Sequence, residues 1–266
     1  MAARKNSLQL LAEKDAEIQY VSRETWETWE TDMKRLEGFC KENNLLFGVG
    51  EGEKFSALCS ALLAKNQEMN LTAITNPDEV EIKHFIDSLE GAGIIREMKA
   101  KSVIDMGTGA GFPGLPLAIE LPDVAFTLAD SLNKRINYIK ETAEMLDLKN
   151  VVAIQGRAEE LGQSPLRESF DVCVSRAVAD TKVLAEYMLP FVKIGGCALL
   201  YKSENFEEEL DSAANAIQTM GGVVKEVRKF HLPDGTKRSI IVVQKQEPTP
   251  GKYPRRPGKP SKSPIK

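Results

Sequence analysis

The chain has 266 residues, 42% hydrophobic and 28% charged, which is enough for one substantial α/β domain with accessory helices in a globular protein. No apolar run approaches the length of a membrane span, and Glu13, Asp15 and Glu17 interrupt any secretory leader, so a membrane partner and export are not expected. The formal net charge of −4 is uneven: residues 251–266 carry six basic residues and no acid, a mildly acidic body with a basic tail that is compatible with a nucleic-acid partner.

Cys40, Cys59, Cys173 and Cys197 have no C-x-x-C spacing and read as reduced packing residues. Along residues 1–45, Ile18, Val21, Trp26, Trp29, Met33, Leu36 and Phe39 form an amphipathic helical stripe. The two tryptophans read as packing residues. Asn43-Asn44 and Gly48, Gly50 and Gly52 break the pattern. A second helix is predicted over about 53–66, with Phe55, Leu58, Leu62 and Leu63 on one face. Asn66 to Thr75 follows, rich in turn and cap residues. A third helix covers about 77–96 and includes His84, one of only two histidines.

From Lys101 the chain alternates strand and helix, as in a mainly parallel sheet. The apolar run ending Val103-Ile104 leads into Asp105-Met106-Gly107-Thr108-Gly109-Ala110-Gly111-Phe112-Pro113-Gly114, and a helix begins near Pro113 and Pro116. A strand, a glycine turn and a helix make a nucleotide cradle. Residues without Cβ let the backbone approach a ligand, and the helix start is expected to offer unpaired N–H groups. The spacing is G-x-G-x-G, whereas dinucleotide enzymes prefer G-x-G-x-x-G. An acid two places before the first glycine completes the pattern of methyltransferases that use S-adenosyl-L-methionine.

Val124 to Leu128 forms a second strand ending at Asp130, which lies 19 residues after Gly111, where nucleoside-binding folds place an acid for the ribose hydroxyls. An ionised carboxylate offers those hydroxyls only acceptors. Asp130, Ser131 and Asn133 also suit the cap of the next helix. Strands follow over 151–155, 170–174 and 197–201. Arg176 sits at the C-terminal end of one of them, the edge where open α/β sheets bind ligands. After a helix over 204–220, strands over 223–231 and 238–244 are joined by five residues and so form an antiparallel hairpin. Five alternating strands closed by a hairpin favour a methyltransferase topology. Beyond Gln246, six prolines predict an extended or disordered tail.

Several segments resemble one family, the bacterial small-subunit rRNA guanine-N7 methyltransferases (ribosomal RNA small subunit methyltransferase G, or glucose-inhibited division protein B). They are Asn66 to Ile74, His84 to Leu89, Asp105 to Gly114, Asp130 to Arg135, Arg157 to Glu159, Ser175 to Val178 and Tyr253 to Gly258. The resemblance implies a seven-stranded class I, Rossmann-like methyltransferase sheet with helices on both faces behind an N-terminal helical subdomain. The expected divisions are a helical extension over 1–32, a helical subdomain over 33–100, the methyltransferase domain over 101–246 and a basic, proline-rich tail over 247–266. It also implies a cytoplasmic enzyme whose partner is 16S rRNA or the small ribosomal subunit. The oligomeric state is left open. Cofactor contacts are expected among Asp105, Gly107, Gly109, Phe112, Asp130, Ser131, Ala158, Glu159 and Arg176.

Guanine N7 has a free lone pair, so the implied reaction needs alignment and electrostatic fit rather than a general base. No acid–base residue is therefore assigned. His84, Asn66, Asn70 and Arg176 are expected to line the cleft, and Lys134, Arg135, Lys202, Arg255 and Arg256 to hold the RNA backbone. The target base must leave its stack to enter such a site. Three rival readings stay open: a protein or small-metabolite methyltransferase, a non-catalytic RNA-binding module on the same fold, and a nicotinamide oxidoreductase. The glycine spacing and the terminal hairpin disfavour the last.

Overall fold

The computed structural model describes residues 33–266. The expected extension over 1–32, with Trp26 and Trp29, lies outside the described residues. Four helical elements come first: α1 (Lys34–Glu42), α2 (Val49–Met69), α3 and α4 (Ala92–Glu97). α3 starts at Pro77–Val80, passes through a π-helical turn at Glu81–Ile86 and ends at Asp87–Leu89. The α/β part then runs β1 (Ser102–Met106), α5 (Gly114–Glu120), β2 (Ala125–Asp130), α6 (Asn133–Met145), β3 (Val151–Gln155), α7 (Ala158–Leu161) and β4 (Phe170–Arg176). It continues with α8 (Thr181–Met188), β5 (Val192–Ser203), α9 (Glu207–Thr219), β6 (Gly222–His231), β7 (Lys237–Lys245) and a short α10 (Lys259–Lys262).

The seven strands form one sheet in the order β3-β2-β1-β4-β5-β7-β6. The first five are mutually parallel, while β7 runs antiparallel to both β5 and β6. This is the alternating sheet with a closing hairpin that the sequence predicts. Side chains alternate between the sheet faces. Val103, Phe126, Leu128, Val172 and Leu199 join one buried cluster, which also takes in α1 to α4 and α5. Ile104, Ala129, Cys173, Ala198 and Leu200 join the other, beneath α8 and α9. Helices on both faces explain why the central strands are almost continuously apolar. All four cysteines are buried and unbridged. No helix among the described residues is long and apolar enough to cross a membrane.

The expected single helix over 77–96 is interrupted twice. Asn76 caps its start by accepting the Asp78 N–H at 2.8 Å. The π turn then widens the helix around His84, as such insertions commonly do at functional positions. Glu90 and Gly91 end α3, and a Cβ on Gly91 would lie 2.0 Å from the Tyr201 hydroxyl oxygen. Tyr201 donates to the Ser88 carbonyl at 2.8 Å, fastening α3 to β5.

The tail is neither free nor unstructured, which corrects the expectation from its prolines. Proline supplies no N–H, so the segment forms no ladder, yet its carbonyls find side-chain donors. Arg167 donates to the Tyr253 carbonyl at 2.7 Å and the Thr249 carbonyl at 2.6 Å, and Gln163 donates to the Pro254 carbonyl at 3.0 Å. The Lys245 ammonium is fully buried and bonds the Leu189 and Met220 carbonyls and the Thr249 hydroxyl. Arg255 pairs with Glu186, which is 1% exposed, through Nε at 2.9 Å and Nη2 at 2.6 Å.

Candidate active site

β1 delivers the chain into the glycine turn. Gly107, Gly109 and Gly111 all have positive φ (74°, 61° and 93°), the left-handed region that side chains resist. A Cβ on Gly107 would meet Val178 at 2.6 Å, and one on Gly111 would meet Leu115 at 2.3 Å. Gly109 differs, because the nearest atom to a Cβ there is the Gly107 carbonyl oxygen at 4.0 Å. Two glycines thus allow the fold to close on itself, while Gly109 leaves open space.

Asp105 does not face that space. Strand alternation puts it on the Val103 face, under the start of α5, where it is wholly buried. Its Oδ2 accepts the Thr108 hydroxyl at 2.7 Å and the Gly114 N–H at 2.8 Å. Burial pushes its carboxyl up to about 7. Asp105 therefore braces the turn, and its expected cofactor contact is corrected. The helix start is corrected too. The N–H groups of Gly111, Phe112, Gly114 and Leu115 are all satisfied by protein oxygens, so this turn offers a ligand room rather than donors.

Asp130 closes β2 on the neighbouring side. Its Oδ1 accepts the Leu132 N–H at 2.9 Å, and its Oδ2 accepts the Gly109 N–H at 3.1 Å and Arg135 Nη1 at 3.1 Å. The carboxylate thus caps the approach to α6 and also faces the glycine turn. A cavity of about 520 Å3 opens there, with Gly107, Gly109, Asp130, Ser131, Ala158 and Glu159 on its walls. The tail and α8 supply part of another wall. Glu159 accepts the Gly258 N–H at 2.8 Å, and Tyr187 bonds Ser261 at 2.9 Å, so Gly258, Ser261 and Tyr187 also line the cleft. Gly258 falls in a segment that carries the family resemblance, but no sequence feature assigned any of the three a place in the cleft.

At the β4 end, one polar chain crosses the cleft. Arg176 Nη1 lies 2.7 Å from Asp87 Oδ2, and its Nη2 lies 3.1 Å from His84 Nδ1. His84 Nε2 lies 2.9 Å from the Thr72 hydroxyl. The imidazole stacks on Phe112 with centroids 4.6 Å apart and planes 6° apart, and the Arg176 guanidinium lies 5.4 Å from the same ring. Burial, helped by the Arg176 charge, takes His84 down to about 3. It is neutral throughout the ordinary pH range.

Of the expected cleft residues, His84, Arg176 and Phe112 are in place. Asn66 and Asn70 are not on the wall. Asn66 clamps Thr72 reciprocally, accepting its N–H at 2.8 Å and donating to its carbonyl at 2.9 Å. Asn70 is the left-handed C-cap of α2, with φ 50°. Thr72, presented by that clamp, lines the cleft instead.

The profile of the rRNA small subunit methyltransferase G family matches residues 51–241. The chain belongs to that family. Members so named from Leuconostoc mesenteroides and Acetivibrio thermocellus are 48% and 46% identical over 215 residues, covering 80% of this chain and 90% and 88% of theirs. The member from Alkaliphilus metalliredigens is 44% identical over 233 residues, 87% of this chain and 98% of its own. Among solved structures, a candidate O-methyltransferase from Klebsiella pneumoniae matches with a TM-score of 0.53 at 14% identity, covering 84% of this chain and all of that one. Cofactor-bound Rv0187 from MTB matches at 0.50 and 16%, covering 72% and 90%. These two show a shared fold.

The basic residues expected at an rRNA surface of this family member separate into two groups. Lys134 and Arg256 are exposed. Arg255 is held by Glu186, and Lys202 by Glu209 and the Ala179 carbonyl at 3.0 Å, with only 10% of its side chain exposed. Arg135 is paired with Asp130. Each of these three guanidinium or ammonium groups already has a carboxylate, so the expectation that they are free for phosphate is corrected for Lys202 and Arg255, whose partners hold them inside the fold.

Proposed function

We infer that this chain transfers the methyl group of S-adenosyl-L-methionine to N7 of a guanine in small-subunit (16S) rRNA, working in the cytoplasm on the RNA of the small ribosomal subunit. Membership of the family supports the activity. The structural observation that carries it is the open face of Gly109 set 3.1 Å from the Asp130 carboxylate. The cavity of about 520 Å3 beside this hydrogen-bonded pair has room for a ribose-sized group over Gly109 and against the carboxylate, with Ser131, Ala158 and Glu159 on the adjoining wall.

When bound, the cofactor supplies an electrophilic methyl on a positively charged sulfur. Gly109 would let it approach the backbone, Asp130 would accept from its sugar, and Phe112 and Arg176 would line the other end of the site. The guanine nitrogen needs no deprotonation, so no side chain must remove a proton in the step. His84 is neutral and the Arg176 charge is offset by Asp87, so the reacting end of the cleft adds little cationic repulsion against a sulfonium. Lys134 and Arg256 are exposed, and they would meet RNA phosphates as screened surface charges.

Mass spectrometry of small-subunit rRNA tests the reading. Cells lacking the protein should lose one 7-methylguanosine, and the purified protein with S-adenosyl-L-methionine should restore it. An unchanged nucleoside count would refute the assignment. Calorimetry showing no affinity for the cofactor would refute it independently.

A further inference from the structure

The cleft has a second chamber. A cavity of about 430 Å3 shares its His84, Arg176 and Ala177 wall with the first and has Asp87, Lys202 and Arg238 on its own walls. The sheet order β2-β1-β4 places Asp130 at one end of the first cavity and Arg176 at the other. A methyl acceptor must approach from the end that the nucleoside does not fill. That end is the junction of the two chambers, where Thr72 and His84 stand.

The hydrogen bonds at this junction have one consistent assignment. A guanidinium only donates, so His84 Nδ1 accepts from Arg176. The ring is neutral and its one proton is therefore on Nε2. Nε2 donates to Thr72 Oγ1, and the Ile74 N–H donates to the same oxygen at 3.1 Å. Both lone pairs of the hydroxyl are then committed. Its proton has no acceptor among the described residues. Asn66 holds the Thr72 backbone on both sides, so the group is fixed as well as polarised. The chain from Asp87 through Arg176 and His84 leaves Thr72 a donor, and a donor only, on the wall of the cleft.

We propose that the Thr72 hydroxyl donates to O6 of the target guanine and so selects guanine over adenine. This rests on the guanine-N7 reading above. On the base edge that carries N7, guanine presents O6 as a neighbouring acceptor, whereas adenine presents an amino group that donates. A base turned with N7 toward the methyl donor brings that neighbouring group along the same wall. A fixed donor rewards guanine and sets donor against donor for adenine. A buried polar group left without its partner discriminates strongly between substrates that differ by one such atom.

The test compares wild type, Thr72→Val and Thr72→Ser on full-length small-subunit rRNA carrying guanosine or 2-aminopurine riboside at the methylated position. 2-Aminopurine keeps N7 and lacks O6. Thr72→Val should lower kcat/KM on the guanosine RNA by about tenfold to a hundredfold, and Thr72→Ser should restore most of it. Wild type should prefer guanosine and Thr72→Val should not. Calorimetric affinity for S-adenosyl-L-methionine should stay the same in all three. A Thr72→Val enzyme that keeps the wild-type preference overturns the proposal. So does one whose cofactor affinity falls as far as its turnover, since the hydroxyl would then serve the cofactor. Failure of the wild type to bind cofactor or to methylate rRNA would instead overturn the underlying function.

Discussion

Replacing Arg255 by methionine should weaken cofactor binding, although Arg255 itself does not line the cleft. Its guanidinium makes three charge-assisted contacts to Glu186, at 2.9, 3.1 and 2.6 Å, and the carboxylate is 1% exposed. Methionine keeps much of the stem but leaves the carboxylate with the Arg255 backbone N–H at 2.7 Å as its surviving bond from this residue. An uncompensated buried charge costs about 3 kcal/mol, and release of the tail into water relieves it. The tail carries Gly258 and Ser261, which wall the cleft through Glu159 and Tyr187. Binding that needs the docked tail weakens in proportion to the docked fraction, and 1.4 kcal/mol of lost docking is about tenfold in Kd. Isothermal titration with S-adenosyl-L-methionine should therefore show a rise of about tenfold, and hydrogen exchange should rise over residues 249–262. An unchanged Kd with the tail visibly released would refute the claim that the tail completes the site. An unchanged Kd with unchanged exchange would refute the claim that Arg255 and Glu186 hold it there. On the sequence alone, removing residues 251–266 would be expected to weaken RNA binding more than cofactor binding; on the structure it should weaken both.

Gly109→Ala and Gly107→Ala should differ, because only Gly107 is crowded by protein. Gly109→Ala should lose cofactor affinity at a stability cost of about 1 kcal/mol from its positive φ, whereas Gly107→Ala should also lose stability through the Val178 clash; calorimetry and thermal melting separate them. Asp105 is pushed up to about 7 by burial, so its stabilising contribution is complete below its unfolded value near 3.8 and is lost as pH rises to about 7. Asp105→Asn, which has no such titration, should gain stability relative to wild type between pH 4 and 7 in melts across that range, and a constant difference would refute the burial argument. His84, held down to about 3, should leave no inflection between about pH 5 and 8 in the rate of methyl transfer. A His84-dependent inflection near 6.5, absent in His84→Asn, would show that the ring charges during the reaction.

Much of this architecture is legible in the residues because it depends on local signals. The alternating strands, the five-residue link after His231 and the run of glycines after Asp105 fix the sheet, its closing hairpin and the floor of the cleft. Asp130 is legible for the same reason, since a strand's last residue must emerge at the sheet edge. What could not be read depends on contacts far apart in the chain. Asp105 looks like a second ligand acid, but strand parity turns it under α5, away from the edge. Asn66 and Asn70 look like cleft residues because they are polar and close together. Asn66 spends its polarity on the Thr72 backbone, and Asn70 supplies the left-handed backbone that ends α2. The tail reads as solvated from its prolines and lysines, because Glu186 lies 69 positions from Arg255 and Arg167 lies 86 from Tyr253, and only the fold brings them together.

These misreadings share a physical cause that bears on how the enzyme works. A methyl transfer without proton removal gains little from a reactive side chain and much from groups that do not move. The residues that first suggest chemistry therefore act as braces: Asp105 under the turn, Asn66 behind Thr72, Asp87 behind Arg176. Asp87, the Lys83 carbonyl and His84 accept from Arg176, and His84 and Ile74 together occupy the lone pairs of Thr72. The site is thereby left with the Asp130 carboxylate at the β2 end and the Thr72 hydroxyl beside His84 toward the β4 end. On the proposed reading, a cofactor sugar meets the carboxylate and a guanine edge meets the hydroxyl.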